Sequence, residues 1–278
     1  MRNPLSTGVL LLALTVCFSG FSQRKPRIKG NRSVVSVEKE LPSFSHLVLA
    51  DDLDLHLQQG SRNAVRIEAD DNLIDILRFE VEGDTLKVGS FYRITSSKAL
   101  DLTLEYEKLE SIQVGTGRVD GPTTLVADRL ALRLSGAGRA QLDIRAALLN
   151  LRMEENSYAD LRLEADSLHA DLRGHTDAHM YLSWAGADLS MTGQASLDLE
   201  GTSPALTASL TDNTRLQASG LQAEKATTFL NTSAHARIHA VNELGYEGRG
   251  NARLFVYGQP EIRILGLFDS AELHKVPE

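Results

Sequence analysis

The sequence predicts an all-β protein built as a β-solenoid, a stack of β-helix-like rungs, with one short helix near residues 71–77. Three observations lead there. Apolar and polar residues alternate with period two through most of the chain, which places one face of each strand in a core and the other in water. Gly, Asn and Asp interrupt the alternation at short intervals, and these are the residues that turns favour. The whole pattern then recurs at a nearly constant step, first as "RLALRLSGAGRAQLDIRA" (Arg129–Ala146) and then as looser copies downstream.

The chain opens on "MRNPLSTGVLLLALTVCFSGFSQ". Arg2 supplies a positive start, Val9 to Val16 an apolar run, and Gly20 and Ser22 small residues before a cut at Gln23, so residues 1–22 read as a signal peptide. The apolar run falls short of the ~20 residues that a transmembrane helix needs. Cys17 is the one cysteine and lies inside this segment; the bulky Val16 before it argues against lipid attachment. The expected mature chain therefore holds together without disulfides. Residues 23–40, which include the basic "RKPRIKGNR", read as a flexible leader.

From Leu41 strands begin. "FSHLVLADDLDLHLQQGSRNAVRIEADD" alternates through Leu47, Leu49, Leu53, Leu55 and Leu57, turns at Gln59-Gly60-Ser61 and resumes at Val65 and Ile67, which is a hairpin signal. "DNLIDILRF" is the helical fragment: Asp71 or Asn72 can cap it, and Leu73, Ile76 and Leu77 share a face. The carboxylates Asp70 and Asp71 suit such a helix start. "FEVEGDTLKVGSF", turned at Gly83-Asp84, and "ALDLTLEY" complete an N-terminal β-lobe over 41–115. A repeat solenoid lobe is expected over 116–264, and a C-terminal tail over 265–278.

In the second lobe the repeat can be measured. Taking the small residue after each turn as the anchor gives Ala140, Ala159, Ala178, Ala195, Thr214, Ala236 and Ala252, with steps of 19, 19, 17, 19, 22 and 16. Leu, Ala and Met fill the alternate positions around each anchor, while Arg133, Arg152, Asp160, Arg162 and Asp171 take the polar phase. A two-strand unit cannot bury its own apolar face, whereas stacked units cover one another. The Gly pairs 115/117, 136/138 and 248/250 fit turns with positive φ, and Asn156, Asp177 or Asn213 take that place where Gly is absent.

Several segments, in their order along the chain, carry a resemblance. They are "FSHLVLADDLDLHLQQG", "ADDNLIDILRFEVEGDTLKV", "LESIQVGTGRV", "LRLSGAGRAQLDI" and "YEGRGNARLFVYGQPEI". Together they resemble the auto-transporter adhesin "head GIN domain" family of Gram-negative bacteria, from about Leu41 to Ile264. The turns "ENSYAD", "GHTDAH" and "DNTRLQ" depart from the Ser-Gly-Ser-Gly that the family favours. The resemblance implies an exported all-β protein in two β-lobes set at an angle, with no established catalytic residues.

Net charge is −8 with acids and bases intermixed, so no basic stripe exists to follow phosphates, and nucleic acid is excluded as a partner. The spacing of His175/His179 and His235/His239 would clamp a metal on a helix, but in strands four residues span about 13 Å, and solvent-facing histidines are the expectation. Asp51, Asp52 and Asp54 lack the bent loop that calcium needs. Neither metal nor cofactor is expected. Arg133, Arg152 and Arg173, with Asp143, Asp160 and Asp171, could line an exterior groove of the kind that polysaccharide-cleaving β-helix enzymes use. Ser135 has no histidine or acid at a telling spacing for a nucleophile. Trp184, Tyr158 and Tyr181 could form a sugar-stacking platform. The leading expectation is an exported, non-enzymatic adhesion or interaction module of the cell envelope, its partner a glycan or an envelope protein. A polysaccharide-active enzyme and a ligand-free structural protein are the alternatives.

Overall fold

The computed structural model describes residues 25–277; the expected signal peptide over 1–22, with Cys17, lies outside them. Among the described residues nearly every segment is strand, and helix is confined to Asp71–Ile74 because Leu77 already begins the next strand. The strands stack in parallel as a β-solenoid of about nine turns. In each coil the chain runs along one stretch, passes a corner and returns along a second. Strand Arg139–Met153 shows how: burial falls on Ala140, Leu142, Ile144 and Ala146, then shifts phase to Leu149, Leu151 and Met153. A phase shift of one residue keeps the apolar side inward after the corner.

The inward side chains form continuous columns. One runs Val88, Leu49, Val114, Leu134, Met153, Leu172, Met191, Leu210 and Leu230, each paired with the next across the ladder. All of these residues are buried. A second runs Leu55, Val119, Ala140, Ala159, Ala178, Leu197, Leu216, Ala236, Leu254 and Leu273. From Ala140 its steps are 19, 19, 19, 19, 20, 18 and 19, more regular than the sequence anchors. Ala195, Thr214 and Ala252 belong instead to a turn column two residues earlier, with Gly138, Ser157, Thr176 and Ala234. Small residues occupy both columns, and leucine replaces alanine at 197 and 216, which is why the anchors slipped.

The turns have their own column. Gly136, Glu155, Gly174, Gly193, Asp212, Thr232, Gly250 and Asp269 all have positive φ, one per coil. Asn156, Asp177 and Asn213 do not have it; the left-handed residue is Glu155 or Asp212, the one before Asn156 and Asn213. Of the glycine pairs, only Gly117, Gly136 and Gly250 use positive φ. The acids at this position are anchored. Glu155 accepts the Gly136 N–H at 2.7 Å, Asp212 the Gly193 N–H at 3.1 Å, and Asp269 the Gly250 N–H at 3.1 Å. Each clamp ties one coil to the next and offsets the cost of a left-handed non-glycine residue.

Three sequence expectations change. The strands Asp54–Gln59 and Ala64–Asp70 form no hairpin, because Leu100–Tyr106 lies between them. Leu104 continues the core from Leu57 to Val65, which local turn chemistry cannot encode. Only Leu77–Glu82 and Thr85–Ser90 pair as the expected hairpin. The leader is held rather than flexible: Arg27–Lys29 pairs with Arg93–Ser96, and Val34–Glu40 pairs antiparallel with Ala64–Asp70. Strand pairing also continues through the expected tail, with Glu261–Leu267 and Glu272–Lys275 laid on the coil before them.

Asp70 stands at the N-cap of the short helix but makes no capping hydrogen bond there. It is fully buried. Its carboxylate instead accepts backbone N–H groups of Arg32, Lys98 and Ala99. Burial alone would raise its pKa, but these donors and the Lys98 charge outweigh burial and hold the carboxyl below the usual range. Asp70 is thus a clasp on the N-terminal strands.

Three buried hydroxyls in the turn column, those of Ser157, Thr176 and Thr214, have no hydrogen-bond partner among the described residues. Thr176→Val keeps the shape and removes the unpaired group, so it is expected to raise stability by about 1 kcal/mol or more in denaturant titration. Leu161→Ala, between Leu142 and Met180, is expected to cost ~2–5 kcal/mol in the same assay because neighbouring coils cannot close the gap. The Asp70 clasp gives a pH signature. A depressed folded-state pKa stabilises above about pH 4 and loses that contribution as pH falls further. Asp70→Asn should be less stable than the parent at pH 7, with the gap narrowing below about pH 4.

Candidate functional site

The outer face of the first stretch of each coil carries an unbroken polar column. His56, Asp120, Gln141, Asp160, His179 and Asp198 follow one another across the ladder. Strand alternation places them outward because Leu55, Val119, Ala140, Ala159, Ala178 and Leu197 point inward beside them. Successive members stand one strand spacing apart, about 4.8 Å. His56 is held between two acids: its Nδ1 lies 2.5 Å from Asp120 Oδ1 and its Nε2 3.8 Å from Asp101 Oδ2. Arg118 Nε lies 3.3 Å from Asp120 Oδ2, and its Nη2 donates to Gln141 Oε1 at 2.6 Å.

These side chains line a groove of about 800 Å³, bounded also by Arg66 and Asp143. It shares Asp160 and Arg162 with a second concavity of about 500 Å³ that adds His179, Tyr181, Asp198 and Glu200. The two together present three arginines, Arg66, Arg118 and Arg162, against six carboxylates. The surface is therefore net acidic, with donors and acceptors interleaved at strand spacing. Such a set can hydrogen-bond a polar ligand along several coils, and it repels a polyanion.

The residues singled out from sequence are distributed differently. Arg133, Arg152 and Asp171 stack in one column on the second stretch of the coils, away from Asp143 and Asp160. Arg152 closes on Glu154 at 2.6 Å and Arg173 on Asp171 at 2.6 Å, so two of the three arginines are paired within their own strand ends. Asp51 accepts Lys25 Nζ at 2.5 Å and the Ser90 N–H at 2.7 Å, fastening the N-terminal strand. Ser135 opens a turn, its carbonyl accepting the Gly138 N–H. His179 lies 3.8 Å from Asp198 in the groove, while His175 is exposed in the preceding turn. The His235 pKa is lowered by partial burial and then by Arg253, Arg215 and Arg237. Among the described residues no group of three or more His, Cys, Asp or Glu is disposed to hold a metal ion.

Of the three aromatic residues, Tyr158 is in register with Asp177, and Tyr181 and Trp184 lie four and seven residues further along that coil. Tyr158 packs its ring 6.1 Å from that of His179. Tyr181, paired in register with Arg162 and Glu200, is 51% exposed. Trp184 follows at the corner, 56% exposed.

A family model described as "Putative auto-transporter adhesin, head GIN domain" matches residues 43–183 and again 159–260. The chain belongs to this family. The two matches overlap over residues 159–183, within the repeating ladder of coils. Among solved structures, a "putative lipid binding protein" from Parabacteroides distasonis is 19% identical with a TM-score of 0.65. It covers 90% of this chain and 100% of its own. A "putative adhesin" from Parabacteroides merdae gives 16% identity and a TM-score of 0.64 over 91% of this chain and all of its own. Another "putative adhesin" from Parabacteroides distasonis gives 14% and 0.65 over 90% of this chain and all of its own. At these identities the likeness establishes the fold. No curated protein matches the chain.

In this head GIN domain the central cluster of the groove was not legible from sequence. His56 and Asp120 stand 64 residues apart and meet only because the coil at 46–59 stacks on the coil at 111–120. The available signal was phase: both lie on the polar side of an alternating strand.

Proposed function

We propose that this head GIN domain is an exported, non-enzymatic adhesion or interaction module of the cell envelope, and that it engages its partner through the groove from His56 to Glu200. The observation that carries the proposal is the continuous outer column of polar side chains, fixed at strand spacing on a rigid stack. A site repeated along several coils suits an extended partner. Export is supported by the signal-like residues 1–22 and by membership of the adhesin family. Among the described residues no helix is long and apolar enough to cross a membrane.

Cleavage of an acidic polysaccharide is the weaker alternative. The net acidic groove repels such a substrate, and the basic column at Arg133 and Arg152 lies on another face.

The test is a binding screen of the mature protein against immobilised glycans and envelope proteins, beside an assay for new reducing ends. Saturable binding that weakens at least tenfold in Arg118→Ala/Asp160→Ala, with melting temperature unchanged, is expected. Turnover of any polysaccharide, or binding indifferent to that double variant, would refute the proposal.

A further inference from the structure

Trp184 is the single tryptophan of the chain, and its placement has no structural explanation in the core. It has a φ of 58°, the left-handed region that a bulky residue avoids. It is also 56% exposed, so packing does not compensate for that backbone. The two preceding coils pass this corner within a continuous strand, at Ala146 and Ala165. In the Trp184 coil the strand breaks, from Asp177–Ser183 to Gly186–Gly193. The Trp184 N–H is held by Thr202, 3.0 Å from its carbonyl oxygen and 3.2 Å from its Oγ1. Strain that the surroundings maintain without burying the side chain marks a residue presented outward.

What it is presented beside indicates the ligand. Tyr181 stands three residues earlier, no more than about 10 Å of strand away, and it is exposed in the groove. Around Tyr181 lie Arg162, Asp160, His179, Asp198 and Glu200. Exposed aromatic faces stack on the apolar faces of pyranose rings, while carboxylates and a guanidinium pair with ring hydroxyls as acceptors and donors. The acids disfavour anionic sugars. Arg162, in register beside Tyr181, offers only N–H donors, which the ammonium groups of a cationic chain cannot accept.

From this we infer that Tyr181 and Trp184 form the stacking end of a binding site for an uncharged oligosaccharide, with Asp160, Arg162 and Glu200 supplying its polar contacts. The inference rests on the groove being the interaction surface, and it names the ligand class of that surface.

The lone tryptophan makes its own reporter. Titrating the mature protein with cellohexaose, mannohexaose and chitohexaose is expected to give a saturable change in tryptophan emission with at least one of them. Oligogalacturonate and oligolysine are expected to give none. Trp184→Gly suits the left-handed backbone, so it is expected to fold with an unchanged or higher melting temperature while binding at least tenfold more weakly by calorimetry. Tyr181→Ala should weaken binding similarly. Unaltered emission with every neutral hexasaccharide, or equal affinity of Trp184→Gly, would overturn the inference. Tighter binding of oligolysine or oligogalacturonate would do the same. Groove-dependent binding in the glycan and envelope-protein screen with silent tryptophan emission would leave the interaction surface standing and remove only the sugar assignment.

Discussion

The whole stack depends on one constraint: each inward side chain must meet its equivalent in the coil above and the coil below. A slip of one residue in a ladder would turn every leucine to water. The chain therefore absorbs changes of coil length locally. Along one ladder the offset between coils rises from 19 to 20 between Asp198 and Glu200, and along the next it falls from 20 to 17 between Ala218 and Gln222 and returns to 18 at Lys225. These irregularities confine the change to one bend and return the next leucines to their columns. With aromatics at 5% of the chain, the interior is filled mainly by Leu, Ala, Val, Ile and Met, so stability comes from many small contacts rather than a few large rings.

The same register organises the turns and the outer surface. At the turns it brings Glu155, Asp212 and Asp269 under the backbone N–H of a glycine one coil away, so a polar residue in an unfavourable backbone region gains a hydrogen bond. On the outer face it aligns His56, Asp120, Gln141, Asp160, His179 and Asp198 without any sequence motif. The N-terminal strands are fastened differently, by buried Asp70 and by the Lys25–Asp51 pair. That end is an antiparallel closure on a parallel stack, as the pairing of Val34–Glu40 with Ala64–Asp70 shows.

Much of this was legible in the residues themselves. Alternation identified the inward leucines, and the alignment of Ala140, Ala159 and Ala178 follows from their constant spacing. Spacing failed at Ala195 and Thr214, where two neighbouring columns both accept small side chains and only hydrogen bonding distinguishes them. Asp70 looked like a helix cap because local sequence shows the helix and hides Lys98 and Ala99, which arrive from a later strand. The groove was hidden for a similar reason. Asp160 and Arg162 were visible as outward residues, but their neighbours Arg66, Asp101 and Asp120 come from strands whose order along the stack is not their order in the chain.

Coils that touch only their immediate neighbours make length a separable property of the molecule. Duplicating or deleting one 19-residue unit such as Ala140–Tyr158 would extend or shorten the rod by a single layer, and the remaining layers would keep their contacts. Evolution can thus vary the reach of such a protein in quanta of one layer. The outer surface can meanwhile diverge freely, since substitutions facing water leave the leucine columns untouched.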